Sequence, residues 1–230
     1  MQVRCERGFS TAAASGRARK DAKCMEQVSV YPPSAADAPI RDEMAESLTR
    51  AAPFVFAGGQ QILSGRPKGE EIRQQIVAHL ERAPDESVTP LDMAAVEFMD
   101  VSFADELFNK LLLRVRSGEL GSRFVFVRGT NTSLRETIEA VLELRDLALL
   151  LQTDEEPEIL GELKRPLHEA LEVILAKKSA TSAAMSDALG KNVNIVCNRL
   201  NALHRMGLIC RRRDESVVGG GRQYCYVSLV

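Results

Sequence analysis

The sequence predicts an α/β sandwich followed by a smaller α+β domain. Three observations lead there. Short apolar runs alternate with amphipathic stretches over residues 53–152, the pattern of strands layered against helices. After Gly161 the alternation gives way to three closely spaced helical segments and two strand-like ones. Charge is partitioned in the same way. Residues 25–160 carry 13 Lys/Arg against 24 Asp/Glu (net −11), whereas residues 161–230 carry 11 against 6 (net +5).

Composition sets the limits. The chain has 230 residues, 45% hydrophobic and 27% charged, which is ample for a packed core. No apolar run approaches the roughly 18 to 20 residues that cross a bilayer, so no membrane role is expected. Cys5, Cys24, Cys197, Cys210 and Cys225 are widely spaced and odd in number. They form no CxxC, and His79, His168 and His204 form no cluster. No metal, no cofactor and no disulfide framework is expected, and a reducing cytoplasm fits.

Residues 1–52 read as a disordered or poorly ordered tail and linker. "STAAASGRARKDAK" is small, polar and basic, with residues 1–24 at net +4, and "YPPSAADAP" has a linker composition. The basic stretch has transit-peptide character, but a disordered tail, or a true start at Met25 or Met44, is the preferred reading.

From Pro53 the elements follow in order. "FVFAGGQQILSG" offers two short strands around Gly58-Gly59, a hairpin signal. "KGEEIRQQIVAHLERA" is a helix with Ile72, Ile76, Val77 and Leu80 on one face and acids in its first turn. "SVTPLDMAAVEFM" reads as a buried strand kept short by Pro90. "SFADELFNKLLLRVRSG" is a helix burying Phe103, Leu107, Leu111 and Val115, and "RFVFVRG" is an uninterrupted apolar strand. "NTSLRETIEAVLELRDLALLL" is a further helix, with Ser133 and Glu136 as a capping box. The acidic "TDEEPE" breaks the pattern, and residues 153–162 read as a linker.

Residues 163–230 contain "RPLHEALEVILAKK", "TSAAMSDALG" and "NVNIVCNRLNALHRMG" as helices. Pro166 lies near the first start, Gly190 closes the second, and Asn192 caps the third. "LICRRRD" and "RQYCYVSLV" are strands around a flexible "ESVVGGG" tip. Three helices and a hairpin are the plan of a winged helix. "ALGKNVNIVCNRLNALHRMGLICRRR" resembles the winged helix-turn-helix of bacterial transcription regulators, with Val196, Leu200 and Leu203 as the apolar seam.

That resemblance implies that the third helix enters a major groove of double-stranded DNA. Asn192, Val193, Asn194, Cys197 and Asn198 would lie on its leading edge. Asparagine can pair with adenine, and valine can touch a thymine methyl. Lys191, Arg199 and Arg205, then Arg211, Arg212, Arg213 and Arg222 of the wing, are candidates to hold phosphates. No arginine or glutamine stands in the usual base-reading turn, which is a departure from the pattern. The bland alternatives are a protein-binding winged domain and an arginine run on a solvated strand end. Cys197 and Cys210 read as packing residues.

"VTPLDMAAVEFMDVSFADEL" resembles the central strand and helix start of the STAS fold, found in anti-sigma-factor antagonists. Leu91-Asp92 and Val96 to Asp100 match that pattern, and Ser102 stands where the antagonists carry the serine that partner kinases phosphorylate. "RFVFVRGTNTSLRETIEAVLEL" is similar to the family's next strand, loop and helix. Val101 replaces the first serine of the motif and Phe103 its glycine. The resemblance covers about residues 53–152. It implies an interaction edge at Asp100, a phospho-switch at Ser102, and a kinase-like ATPase or other regulatory protein as partner. Simple helix capping by Asp100 or Ser102 is the competing and preferred reading.

Catalysis is not expected. "GGQQILSGRPKG" lacks the spacing of a phosphate loop. Asp92, Asp100, Asp105 and Glu106 have no partner histidine or metal pattern, and Ser102 is not in G-x-S-x-G. The expectation is a cytoplasmic, prokaryotic, homodimeric transcription regulator with an N-terminal STAS-like interaction domain. The alternative is a partner-switching protein whose winged helix contacts protein.

Overall fold

A computed structural model describes residues 48–56, 61–213 and 224–230. All belong to one unit spanning Ile40–Val230. Residues 1–47 of the expected tail, the Gly58-Gly59 turn, the wing tip and Arg222 lie outside the described residues. The end of the expected linker is corrected: Leu48 is buried and Thr49–Arg50 pairs in parallel with Ser87 and Val88, so regular structure begins ahead of Pro53.

The fold is mixed α/β around a six-stranded sheet. Its path runs β1 (Thr49–Arg50), β4 (Ser87–Asp92), β6 (Arg123–Arg128), β7 (Ala148–Gln152), β8 (Glu158–Gly161), with β2 (Phe54–Val55) also against β4. All pairings are parallel except β7–β8. A separate parallel pair joins β3 (Ile62–Leu63) to β5 (Phe98–Met99). The expected hairpin is therefore corrected: β2 and β3 stand in different sheets, each parallel to a later strand.

Pro90 sits in a central strand, contrary to expectation. Val88 and Asp92, of the same parity, accept hydrogen bonds from Ala51 N at 2.9 Å and Phe56 N at 3.3 Å. Pro90 thus turns its missing donor to that same side, opposite the gap at residues 51–53 between β1 and β2. No ladder bond is lost there, and Pro90 keeps its place opposite Phe126 of β6.

One face of the sheet is covered by three helical segments. α1 is Arg66–Arg82, and α4 is Thr132–Glu143. Between them in the chain, α2 (Val101–Ala104) continues through a π-helical turn, Asp105–Asn109, into α3 (Lys110–Ser117). Leu91, Val125, Val127 and Leu149 pack against Ile76, Leu107, Leu111 and Ile138 in this layer. α1 and α2 approach closely. A Cβ at Gly69 would lie 2.9 Å from the Phe103 carbonyl oxygen, so only glycine fits.

Three boundaries differ from expectation. α1 begins at Arg66, which leaves Glu70 and Glu71 beyond its first turn. α4 is capped by Asn131, whose side chain accepts from Leu134 N, and not by a Ser133–Glu136 box. It ends at Glu143, and "ALLLQ" is strand β7. The expected linker at 153–162 also contains strand β8, which closes the sheet beside β7.

The opposite face is covered by the C-terminal segment. α5 (Arg165–Lys177), β9 (Ser179–Thr181), α6 (Ser182–Leu189), α7 (Val193–Arg205), β10 (Ile209–Arg213) and β11 (Tyr224–Ser228) follow in order. β10, β11 and β9 form an antiparallel three-stranded sheet, of which β9 was not anticipated. Val88, Phe124, Phe126, Ala148 and Leu150 of the large sheet share one core with Leu171, Ile174, Leu200, Leu203 and Ile209. Strand alternation sends Phe124 and Phe126 to this face and Val125 and Val127 to the other. Burial on both sides explains why β6 and β7 read as continuous apolar runs. Gly207 (φ 76) seals the join, since a Cβ there would meet Val115 Cγ1 at 2.8 Å. The basic segment is therefore fused to the sheet.

Candidate functional site

Two exposed faces gather the residues singled out by sequence. The first is the start of α7. Asn192 caps this helix by accepting from Asn194 N at 2.9 Å. Val196, Leu200 and Leu203 turn into the core. The stripe that remains, Lys191, Asn192, Val193, Asn194 and Asn198, is exposed, and Cys197 is half-buried. Ile195, which sequence reasoning overlooked, is 49% exposed beside Val193 at 44%.

The arginines divide into two groups. Arg213 is exposed at the end of β10. Arg211 stacks over the Tyr224 ring at 4.7 Å and donates to Asn201 Oδ1 at 3.2 Å. Arg199 faces Glu169 of α5 at 3.6 Å and is 16% exposed. Arg212 meets Glu86, just ahead of β4, at 3.3 Å and is also 16% exposed. These two expected phosphate contacts join parts of the molecule to each other. No sequence signal distinguishes them from Arg213, because their carboxylate partners lie 30 or more residues away. Cys210 is buried, and its thiol is pushed up to about 11 by that burial, which leaves it unreactive.

The second face is the start of α2. Asp100 caps it, accepting from Phe103 N at 2.7 Å. The same carboxylate takes the Ser64 hydroxyl at 2.6 Å and Gly65 N at 2.9 Å, at the entrance to α1. The Ser64 hydroxyl, aided by the Phe103, Gly65 and Ser102 N–H groups, holds the Asp100 carboxyl below its ordinary range. Ser102 is exposed and is not the cap. The adjoining strand pair and the first residue of α2 expose apolar side chains: Ile62 at 68%, its partner Phe98 at 46% and Val101 at 57%. Sequence reading assigned no role to these apolar side chains. In the β3–β5 pair, Leu63 and Met99 point inward, so their neighbours Ile62 and Phe98 must point out.

Beneath this face the π-helical turn carries a charge cluster. Glu106, 4% exposed, meets Lys110 at 2.5 Å and Arg73 at 3.1 Å, while Asp105 pairs with Arg66 at 2.9 Å. Burial works against the charged form of Glu106, but hydrogen bonds from Lys110 and Arg73 outweigh it and hold the carboxyl low. Each carboxylate is engaged by a cation, and through Arg66 and the half-buried Arg73 the cluster stitches α1 to the π turn. Among the described residues, no group of three or more His, Cys, Asp or Glu is placed to hold a metal. No helix there is long and apolar enough to cross a membrane.

No protein-family model, curated protein or solved structure matches the chain.

Proposed function

We propose that the protein is a cytoplasmic, prokaryotic transcription regulator that binds double-stranded DNA through α7 and the β10–β11 hairpin. The carrying observation is the two-sided character of α7. One stripe is buried, and the other, Lys191 to Asn194 with Asn198, is exposed and rich in side-chain amides. The order helix, strand, helix, helix, strand, strand matches a winged helix and supports that reading. The preceding α/β part serves as a STAS-like interaction domain. Ser102 is its phospho-switch, and Asp100 with the apolar Ile62, Phe98 and Val101 is the edge offered to a kinase-like ATPase or other regulatory protein. No step of this role is enzymatic. A homodimer would supply two reading helices.

The test uses the full chain with duplex DNA over a salt series. Binding should fall steeply with salt, and Lys191→Ala should reduce the slope by about one. Asn194→Ala should weaken a selected sequence more than random duplex. Retention that is absent at low salt would overturn the reading.

A second reading has its own support. Val193 and Ile195 present apolar surface at the head of α7, which suits a protein partner as well as thymine methyls. Under it, Ile195→Asp would abolish partner capture, while affinity for random DNA would be negligible throughout.

A further inference from the structure

A cleft of about 600 Å³ opens where three elements distant in sequence meet: the end of α3, the stretch between β8 and α5, and the end of α7. Each supplies one cation, Arg116, Lys164 and Arg205 respectively. Between them run Leu163, Leu167 and Met206, all half-buried. The three cations take no ion pair among the described residues, although Asp146 and Glu162 line the same cleft.

We infer that this cleft binds a small organic monoanion with an apolar body, of the aryl or alkyl carboxylate or sulfonate class. Its volume lies in the range of small-molecule sites, roughly 300–1,000 Å³. The half-buried leucines and methionine gain from being covered by an apolar body. Three like charges held around one opening repel, and an anion among them relieves that repulsion. The two carboxylates leave the lining with one net positive charge, which favours a single negative charge over a polyphosphate. The occupant would touch α3 and the last turn of α7 together. Arg205, a candidate phosphate contact by sequence, lies at the last residue of α7, at the opposite end from Lys191 to Asn194, so the site does not depend on α7 binding DNA.

The test uses the full chain and two fluorescent probes of one shape. Anilinonaphthalene sulfonate carries an anion, and N-phenylnaphthylamine does not. The sulfonate should bind saturably and more weakly in high salt, and should shift the amide resonances of Leu163, Ala202 and Met206. The double variant Arg116→Gln/Arg205→Gln should weaken it about tenfold. The same variant should leave the affinity for the neutral probe unchanged and should not lower the thermal midpoint, because both arginines are exposed and their mutual repulsion is removed. Shifts confined to Ile62 and Phe98, unsaturable binding, or equal affinity in the variant would overturn the proposal. DNA binding is measured on these proteins without probe, so its failure would leave the result for the cleft standing.

Discussion

The Asp100 carboxylate receives the Ser64 hydroxyl at 2.6 Å, and through that contact the heads of α1 and α2 are bound side by side. Phe103 N and Gly65 N complete the set of donors. Loss of an N-cap costs about 1 kcal/mol, and hydrogen bonds to a charged acceptor about 1.5–3. Asp100→Ala should therefore destabilise the protein by about 2–3 kcal/mol in urea denaturation. Ser102→Ala should stay within about 0.5 kcal/mol, because its side chain is exposed and does not cap. Equal losses at the two positions would contradict this assignment of the cap.

Glu106 gives a second prediction. Glu106→Gln removes the buried charge that Arg73 and Lys110 share. Arg73 is 12% exposed and would be left without its inner partner. Breaking a buried pair from one side typically costs about 3–5 kcal/mol, and exposure of Lys110 puts this case near the lower end. Glu106→Leu should not recover the loss, since it leaves the same cation behind. The guanidinium chloride midpoint reads both variants.

Removing residues 163–230 should unfold what remains. Val88, Phe124, Phe126 and Leu150 would lose their cover, at roughly 1.5–3 kcal/mol for each side chain. The total is comparable with the whole stability of a typical domain, about 5–15 kcal/mol. Circular dichroism of the truncated chain should show no cooperative melt. A folded, monomeric product would contradict the shared core.

Stability should also respond to pH through His204. This ring lies 5.7 Å from Phe124, and its Nδ1 is 3.2 Å from the Ile209 carbonyl oxygen. Burial, with Arg211 and Arg205 nearby, pushes its pKa down, against the Ile209 carbonyl. The unfolded chain then binds more protons than the folded one below about pH 6.5. The contribution is complete above that pH and is lost as pH falls through the folded value, with a slope of at most about 1.4 kcal/mol per pH unit. His204→Gln should flatten the melting temperature over this window. An unchanged profile would refute the role.

Much of the fold was legible because its cause is local. Helical spacing in "EEIRQQIVAHL", glycines after α3 and α6, and the asparagine ahead of α7 each act within a few residues. What failed had causes elsewhere in the chain. "LALLL" is as apolar as a helix and became β7 because β6 and β8 lie on either side of it. Pro90 stands in a central strand because the neighbouring strand is interrupted opposite it.

The sequence by itself determined the alternation of strands and helices, the split of charge, and the amphipathic α7 with its exposed amides. Tertiary structure alone decided that the basic segment shares a core with the sheet, that Arg199 and Arg212 pair internally, and that Ile62, Phe98 and Val101 are left exposed. The physical reason is one of range. Propensity and periodicity act between near neighbours, whereas burial and ion pairing depend on which distant surfaces are brought into contact.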